Sequence, residues 1–357
     1  MFSNNIKSFI ILNIYALIIV NIGLLIAIYY EIIKDKIKRK MYEKALNDME
    51  PRVLSYIENE DMFFEVAKSI KNYFLTNVVI DIMVNYCEEN NTDISRKFIN
   101  LKLDHILIKK IQKKASIIYL RKLVFMRVET AYDTFIKLSS SDDLDISYMS
   151  FFGLSLIRLA EDKTEIAIRK LVASSILSDR IIEILSRYNL EFEEWLDLLE
   201  KEKTIEGKVI FIKNIMIKEE IKNEKNTDRI LKFLKDEKEV KIAAIIAVCE
   251  SKNEKYIDEI IKVYENEENW EVRVAVAKGL RNFRMEHVKD ILLKMTKDTE
   301  WWVRYNAVKS IVAMGEEGLF TLIDLSLGKE DKNISDLAYY FLNSNNDVYN
   351  TVKNIEV

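Results

Sequence analysis

A self-match at a spacing of 31 residues constrains this chain more than any other feature: Val272 falls on Val303, Arg273 on Arg304, Val276 on Ala307 and Leu280 on Ile311. The same step lands next on Ile334, Ser335, Ala338 and Leu342. The stretch before each of these repeats as well, in the series Ile257, Val288, Leu319, then Ile260, Ile291, Leu322, then Ile261, Leu292, Ile323. Within each unit these positions stand at i, i+3, i+4, the apolar stripe of an amphipathic helix. Each unit therefore reads as two helices with one buried stripe apiece. A single pair cannot bury its face alone, so stacked neighbours must share a continuous core. Only 7 Gly and 1 Pro occur in 357 residues. Strand-rich folds need such residues at every turn, so an all-α chain is expected.

Upstream the match loosens. Ile230, Leu231 and Leu234 precede Val240, Lys241, Ala244 and Val248 in a unit offset by about one residue. Trp195, Leu196 and Leu199 precede Lys208, Val209 and Ile212 less regularly, and 146–160 and 164–177 still read as helices. The motif VR-xx-A/V-xxx-L, with an acid six residues before the Arg (Glu267 with Arg273, Asp298 with Arg304), resembles the HEAT-like repeats in their short, phycobilisome-lyase-type variety. The resemblance is clearest over 225–345, extends loosely to about 125 and is absent before that. It implies a right-handed α-solenoid at 125–357 and an acid–Arg ladder between successive units. Two units depart from the pattern: Lys235 stands where the acid near 240 belongs, and Lys329 and Ser335 stand in the last unit.

The N-terminus is of another kind. From Phe9 to Tyr30 the chain carries no charge over 22 residues, which as a helix covers roughly 33 Å at about 1.5 Å per residue, enough for a bilayer core. The run is too long for a cleavable leader and no small-residue cleavage site follows it. The expected organisation is a short tail at 1–8, a transmembrane helix at 9–33, a basic juxtamembrane segment and helical neck at 34–124, and the solenoid. Pro51 is expected in the first turn of a neck helix. Lys34, Lys36, Lys38, Arg39 and Lys40 follow the span, whereas only Lys7 precedes it. This asymmetry places the array in the cytoplasm and the N-terminus outside. Cys87 and Cys249, without CxxC spacing, fit a reducing compartment.

The pattern holds little chemistry. His105 and His287 have no acid or Cys at metal-ligand spacing, no HExxH, GxxxxGK[ST], GxGxxG or GxSxG occurs, and acidic pairs such as Asp142/Asp143 read as caps and loops. No catalytic residue, cofactor or metal is expected. Net charge is −4, so no nucleic acid is expected either. Two features stand out. Trp270, Trp301 and Trp302, beside Arg273 and Arg304, are residue types that supply binding hot spots, and in the resembled fold the second helix lines the concave face. Their alternative reading is inter-repeat packing. The stretch 109–127 carries Lys109, Lys110, Lys113, Lys114, Arg121, Lys122 and Arg127 with no acid. It reads as a solvated face or as a contact for anionic headgroups or an acidic partner.

The expected function is a membrane-anchored cytoplasmic scaffold or adaptor that meets the bilayer through 9–33 and a membrane-associated protein partner through its repeats. The resemblance implies association with a bacterial membrane enzyme, for instance a glycosyltransferase or surface-polysaccharide system. A structural homo-oligomer or spacer is the alternative. The DNA glycosylases and lyases of the resembled fold are disfavoured by the anchor and the charge.

Overall fold

The computed structural model describes residues 2–328 and 331–344, with side chains from residue 17 to 328 and from 331 to 343. Among the described residues every regular element is a helix. The chain divides into two compact units, Met1–Ala167 and Ile168–Val357.

The first unit is organised around one long helix, α1 (Phe2–Asn59). Its apolar part, exposed from Leu17 onward where side chains are described, runs without a break into a charged part whose far end packs against α3 (Tyr73–Asn90). Met49, Val53, Tyr56 and Ile57 are buried there, at i, i+4, i+7, i+8 spacing that keeps them on one side of the helix. Pro51 lies inside α1, not in a first turn. It removes one backbone hydrogen bond, but the buried residues on either side of it hold the helix straight through. The neck expected to be helical is so, and its segment FFEVAKSIKNYFL spans two helices. It divides into α2 (Phe63–Ser69) and α3, because the Asn72 side chain caps α3 by accepting from the Phe74 and Leu75 amides at 2.8 and 3.3 Å. The unit is completed by α4 (Ser95–Asn100), α5 (Leu103–Lys113), α6 (Ile117–Phe125), α7 (Tyr132–Leu138) and α8 (Leu144–Leu156). Asp143 caps α8 through the Asp145 and Ile146 amides.

In the second unit, entered through α9 (Glu161–Val172), helix pairs succeed one another. The short α10 (Ser178–Leu185) precedes α11 (Phe192–Lys201) and α12 (Ile205–Met216); then come α13 (Glu224–Leu231) with α14 (Lys238–Glu250), α15 (Ile257–Asn266) with α16 (Trp270–Leu280), α17 (Glu286–Met295) with α18 (Trp301–Val312), and α19 (Glu316–Leu327) with α20 (Lys332–Ser344). The second helices α12, α14, α16, α18 and α20 pack each on the next. The positions at the 31-residue step supply the contact: Val272, Val303 and Ile334 are buried, as are Val276, Ala307 and Ala338. The pair α11–α12, irregular in sequence, is a full member, with Trp195, Leu196 and Leu199 completely enclosed.

Candidate functional site

The second helices begin alike. Lys208, Lys241, Arg273 and Arg304 each stand at the fourth position of their helix. Just before each helix an acid accepts from the amide of the residue that leads into it: Glu202 from Thr204 (2.8 Å), Asp236 from Glu237 (2.9 Å), Glu267 from Asn269 (3.0 Å) and Asp298 from Glu300 (2.9 Å). The free side of each acid then takes the cation of the preceding unit. Lys208 Nζ lies 2.7 Å from Asp236 and Lys241 Nζ 2.8 Å from Glu267. Arg273 forks onto Asp298 with both bonds at 2.9 Å, and Arg169 reaches Glu202 at 3.9 Å. Successive repeats are thus joined by a charged ladder, and each acid serves two helices. The reading of Lys235 as the loss of an acid is corrected: Asp236, one residue later, supplies it, because this unit is offset by one position. Lys329, the departure noted for the last unit, lies outside the described residues.

Burial alone would raise the carboxyls of Glu202, Glu267 and Asp298, but their amide and cation partners outweigh it and hold them below the usual carboxylate range. At Asp236 the Lys208 ammonium is the leading cause of the same shift. These charges are spent on the fold. Arg273 also donates to the Glu267 and Glu268 carbonyls (3.2 and 2.7 Å), and Arg304 to those of Asp298 and Thr299 (2.8 and 2.9 Å). Of the five residues singled out as a recognition patch, the two arginines therefore bind the chain itself.

The three tryptophans do not. Trp270, Trp301 and Trp302 are 39%, 45% and 52% exposed. Trp301 and Trp302 meet edge to face at 4.6 Å, Tyr305 stacks under Trp301 at 5.1 Å, and Phe341 of α20 lies 5.1 Å from Tyr305 with the exposed Tyr340 at 5.5 Å beyond. An aromatic surface therefore crosses from α18 to α20, while Trp270 holds the equivalent place one repeat earlier. Tyr305, Tyr340 and Phe341 were not in the sequence-level patch. The i+4 spacing of Tyr305 from Trp301 was the available signal for the first.

The basic stretch does not form one face, because the turn after Lys113 folds it into α5 and α6. On α6, Lys122 pairs with Asp81 and Arg121 lies 3.5 Å from Glu88, and just past its end Arg127 donates to Asn91 at 2.9 Å. Lys110 is half-buried, 4.6 and 5.2 Å from the Tyr73 and Tyr119 rings, and burial lowers its pKa. Lys109, Lys113 and Lys114 are exposed, with no carboxylate in ion-pair reach among the described residues.

Both histidines are exposed, and no cluster of three or more potential metal ligands occurs among the described residues. The Cys87 and Cys249 thiols are buried; burial, with Glu250 nearby, pushes Cys249 up to about 12.

Stacked helix pairs bridged unit to unit define an α-helical repeat protein. Residues 227–311 and 257–339 match the family model for HEAT repeats, and the chain is a HEAT-like repeat protein across that stretch. No curated protein matches the sequence.

Proposed function

We propose that the chain is a membrane-anchored scaffold which holds a protein partner on the aromatic surface of its last repeats. HEAT repeats suggest a protein-interaction scaffold, and the apolar part of α1 is long enough to cross a bilayer. The observation that carries the reading is the cluster of exposed Trp301, Trp302 and Tyr340 around the half-buried Tyr305. Aromatic side chains of this kind bury large area at low entropic cost when a partner covers them. The basic run at 34–40 favours the cytoplasmic side for the array, where the partner is itself membrane-associated. A membrane glycosyltransferase or surface-polysaccharide enzyme is the class that the sequence resemblance implies.

A photo-crosslinking residue in place of Trp302, activated in native membranes, tests this. One discrete heterologous adduct that disappears with Trp301→Ala is the expected result. An adduct with the chain itself would convert the reading to a homo-oligomer, and the absence of any adduct would refute it.

A further inference from the structure

The helices of the first unit show which of its ends faces back along α1 toward the apolar stretch. Tyr42 of α1 donates to Asp81 of α3 at 2.6 Å and its ring lies 6.4 Å from Phe74, while Tyr56, further along α1, donates to the Lys97 carbonyl (3.0 Å), beyond the end of α3. α3 therefore runs in the same direction as α1, with its first turn toward Tyr30. α6 follows suit, since Tyr119 and Tyr73 both lie against the Lys110 ammonium, Lys122 pairs with Asp81, and Arg127 reaches Asn91 just past the α3 C-terminus. The first turns of α3 and α6, and the α5–α6 turn between Lys113 and Ile117, consequently share the end nearest the apolar stretch.

That end is basic and apolar together. Tyr73 is 69% exposed and Ile118 64%, and Ile117 is exposed as well. Lys71, Lys113 and Lys114 surround them, exposed and with no carboxylate in ion-pair reach among the described residues. The height is also suitable. Tyr42 lies about 18 Å beyond Tyr30 along the helix. Tyr73 sits roughly one turn, about 5 Å, nearer to Tyr30 than the level at which Tyr42 docks, and the α5–α6 turn extends past it. Counted from Ile33, the end of the span expected from the sequence, the remaining distance is about 8 Å, which a headgroup layer about 5–8 Å deep and an ordinary helix tilt of about 20° cover.

We propose that this end of the unit, formed by Lys71, Tyr73, Lys113, Lys114, Ile117 and Ile118, rests on the anionic headgroups of the bilayer that α1 enters. The inference depends on α1 being a membrane anchor. Continuity with the anchor and charge complementarity select the bilayer as the occupant: lysines meet phosphate, as the run at 34–40 does on the same side, while Ile118 and Tyr73 enter the interface where amphipathic and apolar groups settle. Arg121, Lys122 and Arg127 take no part, being further along α6 and engaged with α3.

The test uses the full chain in nanodiscs, with Ile118→Cys carrying an environment-sensitive fluorophore; the native thiols are buried and stay unlabelled. Lipids bearing a quencher report contact. The expected result is quenching at residue 118 in phosphatidylcholine containing phosphatidylglycerol, loss of most of it in high salt or in Lys113→Glu with Lys114→Glu, and little in phosphatidylcholine alone. A label at Ile26→Cys separates the two readings. If residue 26 is quenched and residue 118 stays aqueous in the anionic discs, the headgroup contact is wrong while the anchor stands, and an acidic protein becomes the occupant to seek. If residue 26 is not quenched, the anchor reading fails and this inference fails with it.

Discussion

Replacing Arg273 by methionine interrupts the ladder at its best-formed rung while keeping a long apolar stem. The Asp298 side chain is only 6% exposed and receives two bonds from the guanidinium, which also satisfies the Glu267 and Glu268 carbonyls. Removing one partner of a buried ion pair leaves the other charge without compensation and costs about 3–5 kcal/mol. Arg273 borders solvent, so the lower figure, about 3 kcal/mol, applies. At about 2–4 °C per kcal/mol for a unit of this size, Tm should fall by about 6–12 °C in a far-ultraviolet circular dichroism melt of the detergent-solubilised chain. Hydrogen exchange should place the loss in α17 to α20 and spare α10 to α14, because each repeat leans only on its neighbours. Asp298→Asn keeps an acceptor for the Glu300 amide but drops the charge, so the double variant should cost less than the two singles together. A shift below about 2 °C for Arg273→Met, less than 1 kcal/mol would give in this range, or full additivity of the two changes, would refute the ladder as the coupling between repeats.

Three further outcomes follow from the same geometry. The four ladder acids have pKa values held below their ordinary 3.8 or 4.5 in the folded chain. Their contribution is therefore complete above those values and is lost as pH falls through the folded pKa, so an acid titration should show the second unit melting below about pH 4 and stable above about pH 5. Gly279→Ala would put a methyl 2.5 Å from Cys249 Sγ and 3.0 Å from its Cβ, between α16 and α14; an overpacking cost of about 1–3 kcal/mol should outweigh the helix-propensity gain of up to about 1 kcal/mol in a urea titration. Trp195→Ala should destabilise by about 3–5 kcal/mol, whereas Trp301→Ala should cost no more than about 1.5 kcal/mol; equal losses in the two melts would mean that the exposed cluster is part of the core.

The repeats were legible because the residues that stack them are apolar and periodic: Val272, Val303 and Ile334 need nothing but a count of 31 to be found. The ladder was legible in part. Its acids sit in the turn before a helix, where a change of one residue in length is tolerated, and a fixed offset of six found Asp298 and Glu267 but passed over Asp236, which stands five before Lys241. The neck resisted for a different reason. Its helices pack in a single arrangement with no internal period, and a Pro that would end an isolated helix is carried by the contacts of Met49, Val53 and Tyr56. In the basic stretch, composition was visible and partners were not. Asp81, Glu88 and Asn91 lie some thirty to forty residues away in sequence, so only the fold could show that α6 spends its cations on α3. The exposure of the tryptophans was foreseeable from adjacent positions on a helix; their union with α20 was not.

The unbroken course of α1 has a geometric consequence. A flexible tether would let the first unit explore every orientation relative to the apolar stretch; a continuous helix gives it a phase. Each residue turns the chain by about 100° and advances it by about 1.5 Å. One residue inserted between Tyr30 and Tyr42 would therefore swing the whole unit through more than a quarter circle, whereas seven would return it to nearly its starting bearing about 10 Å further out. Length in this segment acts as an angular setting: if α1 is the anchor proposed above, the number of residues there, more than their identity, decides which side of the unit is turned toward a neighbour in the same membrane.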